Sequence, residues 1–104
     1  MAAKDPHSMA TIIAGKTALR LRLYIAGNAP NSLLAITNLK SICDEHFATG
    51  CVIETIDLLV HPARALADSI IVTPTLVKVY PLPVRRVIGT LSDTEQVCLA
   101  LGVK

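Results

Sequence analysis

Aromatic side chains are scarce in this chain: no tryptophan, two tyrosines and one phenylalanine among 104 residues. The formal net charge is only +2. Together these argue against nucleic-acid binding, which calls for a dense basic face and aromatic platforms on which bases stack. No apolar run reaches the length that spans a bilayer, and Ile12-Ile13-Ala14 is too short for a secretory core, so neither a membrane anchor nor a signal peptide is expected. Cys43, Cys51 and Cys98 form no Cys-x-x-Cys and no paired metal-ligand spacing. His7, His46 and His61 are far apart, and a zinc site needs more ligands at defined spacing. Asp44, Glu45 and Asp57 form no acid/base pair that can be placed in a cleft, and Gly27 belongs to no phosphate-binding glycine motif. No catalytic residue, metal or cofactor is therefore expected. Cys43 and Cys98 fall on apolar helix faces and read as buried, inert thiols, with Cys51 near a loop. A reducing cytoplasm suits all three.

What the chain does have is aliphatic bulk: 52% of its residues are apolar, enough for one domain with a small core. Residues 1–17 lack periodicity and read as a disordered leader; residues 18–104 read as a single domain. Leu19, Leu21, Leu23 and Ile25 alternate with Arg20, Arg22 and Tyr24, the pattern of a strand with one apolar face. Gly27 to Pro30 make a turn. Leu33, Ile36, Leu39, Lys40, Cys43 and Phe47 recur at helical spacing over 31–47. His46 suits the negative end of that helix. Residues 52–58 are β-branched and short, a second strand, expected to pair in parallel with the first through a right-handed crossover. Pro62 opens a helix over 62–69. Residues 75–80 and 84–88 form a hairpin around Pro81-Leu82-Pro83. Ser92-Asp93-Thr94-Glu95 is a capping box, in which Ser92 accepts from the Glu95 amide while Glu95 reaches back. Gly102 sits at a C′ stop for the last helix. The expected order is strand, helix, strand, helix, strand, strand, helix, an α/β arrangement.

Two short stretches are placed where a thioredoxin keeps its active site. In Tyr24-Ile25-Ala26-Gly27-Asn28-Ala29-Pro30-Asn31-Ser32, a strand runs through a turn into a helix, and Asn28 and Asn31 stand at the spacing of a Cys-x-x-Cys pair. In Val72-Thr73-Pro74-Thr75-Leu76, a Thr-Pro step enters a strand, as in the cis-proline loop of that fold. An X-Pro bond is trans by default, so Pro74 reads as a strand-start proline unless the thioredoxin likeness holds. Asparagine forms no thiolate and cannot attack a disulfide. A thioredoxin-like scaffold without its nucleophile points to recognition rather than catalysis. Lys78, Arg85 and Arg86 lie on the expected hairpin. A solvated edge strand that resists aggregation accounts for them; a basic contact surface is the sharper alternative.

Leu23 to Ser32, Val72 to Val79, Pro83 to Gly89 and Leu91-Ser92-Asp93, in this order and spacing, resemble the KaiB family of small cyanobacterial clock proteins over roughly residues 18–101. The resemblance implies a non-enzymatic, cytoplasmic regulator without cofactors. It would dock on a KaiC-type ATPase ring, modulate the ring's phosphorylation and output, and act indirectly on KaiA and on clock histidine kinases. The alternative is a redox-inactive thioredoxin-like interaction module related to the sensor domain of a clock kinase. The family is metamorphic: a monomer in the thioredoxin-like state βαβαββα, and a tetrameric ground state that shares only the N-terminal βαβ. Lys78, Arg85 and Arg86 match basic positions in the family's binding half. Pro74, Ser92, Glu95, Ala100 and Gly102 bear on the choice of state, with the thioredoxin-like one favoured. The chain departs from the clock pattern at Leu34 and Glu54, where a basic residue is usual, at Ala100 for a glycine and at Gly102 for an aspartate.

Overall fold

Both faces of the central strand are covered, and that decides where each of its residues goes. The computed structural model describes residues 12–13, 16–17, 19–47 and 50–102. The expected leader falls mostly outside the described residues; within it, β1 (Ile12–Ile13) and β2 (Lys16–Thr17) pair antiparallel. β3 (Leu19–Ile25), α1 (Pro30–His46) and β4 (Cys51–Asp57) form the strand–helix–strand unit, with β3 and β4 parallel. α2 (Pro62–Ala67), β5 (Thr75–Tyr80), β6 (Arg85–Ile88) and α3 (Thr94–Leu101) follow. The sheet order is β4-β3-β5-β6, and β5 runs antiparallel to both β3 and β6. The order of elements from residue 19 onward is the one the sequence predicts.

Leu19, Leu21, Leu23 and Ile25 point to one side of the sheet. They pack there with Ala35, Leu39 and Ile42 of α1, Leu76 of β5, and Val97, Cys98 and Leu101 of α3. On the other side, Tyr24, Ile56 and Val77 pack under Ala65 of α2. With apolar partners on both faces, β5 carries a nearly continuous apolar run in place of alternation.

The phase of α1 differs from the sequence expectation. Its buried stripe is Ser32, Ala35, Leu39, Ile42 and Cys43, while Leu33, expected in the core, is 48% exposed. Small residues explain the shift: Ala35 and Ser32 let the helix approach the sheet closely, and the Ser32 hydroxyl accepts the Ala26 amide at 3.1 Å. The cap of α3 also differs. Asp93, not Ser92, is the N-cap, its carboxylate accepting from the Gln96 amide at 3.1 Å. Ser92 is engaged elsewhere: its hydroxyl lies 2.7 Å from that of Thr90 and accepts from the Asn38 amide nitrogen at 3.5 Å. Asn38 also donates to the Thr90 carbonyl at 2.8 Å, which ties this turn to α1. Glu95 remains in the first turn, favourable at the positive end of the helix. Gly102 closes α3 in the left-handed conformation at φ 100°, as expected.

α2 is short, and polar contacts supplement its small apolar face. Arg64 makes a bidentate pair with Glu54 at 2.6 and 3.0 Å. Arg22 lies beside Glu54 in the β3–β4 register and bridges it at 3.5 Å and Asp68 at 3.1 Å. The buried Tyr24 hydroxyl donates to Asp68. Burial, reinforced by that carboxylate, pushes the Tyr24 phenol up to about 12. The phenol, with Arg22 beside it, holds the Asp68 carboxyl below its ordinary value. Glu54 is thus the partner that two arginines share.

Tyr24→Phe is expected to lower stability by about 1–2 kcal/mol at neutral pH, the worth of a hydrogen bond to a charged group in a partly screened site. The difference between wild type and variant has a pH signature. The unfolded phenol ionises near 10 and the folded one near 12, so the wild-type advantage holds below 10 and shrinks as pH rises toward 12. Urea titrations of both proteins across that range check this.

Candidate functional site

The C-terminal ends of β3 and β4 and the start of β5 meet at one edge of the sheet, because Ile25 lies beside Asp57 and Tyr24 beside Thr75. Asp57 organises that edge. One of its carboxylate oxygens accepts the Gly27 amide at 3.0 Å and the Leu59 amide at 2.9 Å. Its carbonyl accepts the amides of Val60 and His61 at 3.0 and 2.9 Å. Gly27 has φ +54°, and a Cβ there would stand 3.2 Å from Leu59 Cδ1, so the position favours glycine twice over. The Ala29 amide donates to the Ala26 carbonyl at 3.2 Å, and Pro30 opens α1 without an amide to satisfy. Across the sheet edge the Thr73–Pro74 bond is cis. Pro74 is buried, its carbonyl accepting from Gly89 at 2.9 Å, and the Thr75 hydroxyl donates to the Val72 carbonyl at 2.7 Å.

On these supports Asn28, Ala29, Pro30 and Asn31 are presented to solvent. Around them stand exposed aliphatic side chains, Leu59 at 68%, Val60 at 64%, Ile71 at 92% and Val72 at 44%. No ionisable side chain lies in 26–31 or 70–74. Such a surface can take a partner by apolar contact and by the asparagine amides. Among the described residues there is no cluster of His, Cys, Asp or Glu that could hold a metal ion, and no described helix is long and apolar enough to cross a membrane.

The three basic residues singled out on the hairpin are not one patch. Lys78 lies on the α1/α3 side of β5 beside Leu21 and is only 4% exposed, so it is not a solvated edge residue. No buried side-chain nitrogen among the described residues lacks a partner, so the stem is what is covered. Arg85 is its cross-strand neighbour, on the same face, and exposed. Arg86 points to the opposite face, where its guanidinium donates to the carbonyls of Asp68 and, at 3.4 Å, Ser69, at the C-terminal end of α2. Of the other residues singled out, Pro74 belongs to this edge, while Ser92, Glu95, Ala100 and Gly102 belong to α3 and its approach. Sequence reasoning missed Asp57 and the exposed Leu59, Val60, Ile71 and Val72. Their signal was present: an aspartate ending a strand, then apolar residues in both loops that flank α2.

Asp57→Ala leaves two loop amides unpaired and is expected to cost about 1–2 kcal/mol, with Asp57→Asn recovering part of it through the amide oxygen. Denaturant midpoints, with hydrogen exchange at Gly27 and Leu59 to localise the effect, test this.

A family model described as the KaiB domain matches residues 22–103. The circadian clock oscillator protein KaiB of Synechococcus elongatus is 51% identical over 83 residues, covering 80% of this chain and 81% of that protein. The corresponding protein of Prochlorococcus marinus subsp. pastoris is 47% identical over 92 residues, covering 88% and 85%. Among solved structures, the N-terminal domain of Synechococcus elongatus SasA superposes with a TM-score of 0.69 at 22% identity, covering 97% of this chain and 93% of that domain. Chloroplastic thioredoxin z gives 0.64 at 19% identity, covering 96% of each chain. The fold is mixed α/β and thioredoxin-like.

Proposed function

The chain belongs to the KaiB family, and we propose that it is a non-enzymatic, cytoplasmic clock-type regulator that docks on a KaiC-type ATPase ring and modulates its phosphorylation and output. The observation that carries this reading is the edge at Asp57, where the fold's usual thiols are replaced by Asn28 and Asn31 and the surrounding loops expose Leu59, Val60, Ile71 and Val72. A surface with aliphatic anchors held on an ordered loop edge suits protein contact. Effects on KaiA and on clock histidine kinases follow indirectly, through competition for the ring. Arg85, on the binding half, is exposed and makes no hydrogen bond or ion pair among the described residues, and it tunes encounter rather than anchoring it. Arg86 is occupied at the end of α2, and Lys78 supports the β5–β6 pair from within.

The binding-competent form is the thioredoxin-like monomer, with a tetramer as its alternative state. Pro74 shapes the β5 entry on which that form depends. Helical α3 distinguishes it, and Ala100 and Gly102 favour that helix, with Glu95 in its first turn and Ser92 fixing its approach. Ala100→Gly removes up to about 1 kcal/mol of helix preference, less near a frayed end. That shifts a two-state ratio by up to roughly fivefold. Sedimentation and NMR secondary shifts over 94–101 would register the change as a gain of tetramer and of extended values.

Native mass spectrometry against a KaiC-type hexamer with ATP tests the docking itself; absence of any complex overturns it. Ile71→Asp is expected to leave folding intact and weaken docking by about tenfold or more, about 1.4 kcal/mol. Arg85→Glu is expected to weaken it by about 1 kcal/mol, roughly fivefold, and to flatten its salt dependence.

A further inference from the structure

Cys43 and Cys51 come together at the end of the molecule opposite the Asp57 edge. Cys43 lies in the last turns of α1, and Cys51 opens β4. Cys43 belongs to the core cluster and Cys51 packs against it. The two thiols are close enough for each to shift the other's ionisation. Both line one open cavity of about 430 Å³, between Phe47 and Ile53, with the Lys40–Asp44 ion pair at its rim. Cys98 is buried in α3 and is not part of this pair.

The arrangement is asymmetric. Cys43 is buried and Cys51 half-buried. The neighbouring Cys43 thiol lowers the Cys51 pKa, whereas Cys51 and then burial hold the Cys43 proton in place. A thiol that ionises first, beside a second that retains its proton, is the division between an attacking and a resolving cysteine.

We propose that Cys43 and Cys51 are a dithiol modification site that a small disulfide of the glutathione type oxidises to an intramolecular disulfide. The Cys51 thiolate attacks one sulfur of the oxidant; the oxidant's S–S bond breaks, a mixed disulfide forms on Cys51, and one small thiolate leaves. Cys43 then attacks the Cys51 sulfur and displaces the second small thiolate, which takes up the Cys43 proton. Two cysteine thiols lose two electrons in all, and one small disulfide becomes two thiols. The bond joins the end of α1 to the start of β4 and involves no residue of the Asp57 edge.

The test uses the full chain, incubated folded with oxidised glutathione, quenched in acid, then alkylated in denaturant. The wild type should fall from three alkylatable cysteines to one, lose two hydrogens in intact mass, and yield a Cys43–Cys51 linked peptide. Cys51→Ser should abolish the link. Cys43→Ala should trap glutathione on Cys51, forming at least about tenfold faster than glutathione adds to Cys43 in Cys51→Ser. Three alkylatable cysteines in the wild type, a lasting mixed disulfide without the link, or a link through Cys98 would each overturn the proposal. So would a link that appears only once circular dichroism shows unfolding. The wild-type peptide map decides the matter even if Cys43→Ala does not fold.

Discussion

The contact between the Tyr24 hydroxyl and the Asp68 carboxylate fixes the second layer of this protein. β3 and α1 can bury their leucines and isoleucines without it, on the face that α1 and α3 cover. The other face has only a two-turn helix to close it, and a helix that short is marginal on its own. Tyr24 supplies both parts of the solution: its ring enlarges the small cluster with Ile56, Ala65 and Val77, and its hydroxyl reaches the end of α2. Arg22, Glu54 and Arg64 complete the set, so charges from β3, β4 and α2 are mutually satisfied where none could be left alone at low cost.

The Asp57 edge depends on that second layer. The loops before and after α2 carry the exposed Leu59, Val60, Ile71 and Val72. Their backbone course is set by where α2 docks, by the Asp57 carboxylate at one end and by the cis Thr73–Pro74 step at the other. This edge holds asparagine amides and aliphatic side chains at defined positions. A surface positioned this way favours specificity by preorganisation, since few side chains must be ordered when a partner arrives.

Much of this could be read from the residues. The alternation from Leu19 to Ile25 gives β3 unambiguously, and Gly102 marks the end of α3 through a left-handed backbone conformation that glycine adopts more easily than any other residue. What escaped has a common cause. Lys78 reads as a surface charge in any one-dimensional pattern, and only the placement of β5 between β3 and β6 shows it covered. Leu33 reads as core by spacing, yet the smaller Ser32 and Ala35 win the sheet-facing position because they allow closer approach. Arg22 and Tyr24 read as the polar side of a strand because the partner that buries them, Asp68, lies 46 and 44 residues further on. Ser92 and Asp93 are adjacent candidates for one cap, and the choice falls to Asp93 because Asn38, on a different helix, engages Ser92.

The two ends of the molecule therefore carry different potentials, and α1 joins them. Its N-terminal turn starts at Pro30 beside the neutral, solvent-facing asparagines, and its C-terminal turns hold Cys43 against Cys51. The thiols are not misplaced remnants of the missing Cys-x-x-Cys. They lie on the buried stripe of α1 and at the first residue of β4, positions fixed by core packing and by strand register rather than by a helix N-terminus. A disulfide there would pin α1 to the outermost strand of the sheet across the short connection between them. That constraint falls within the strand–helix–strand unit and leaves α2, the hairpin and α3 untouched. A bond so placed stiffens the half of the chain whose packing is already most complete, while the half carrying the exposed apolar loops keeps the polar contacts on which it depends.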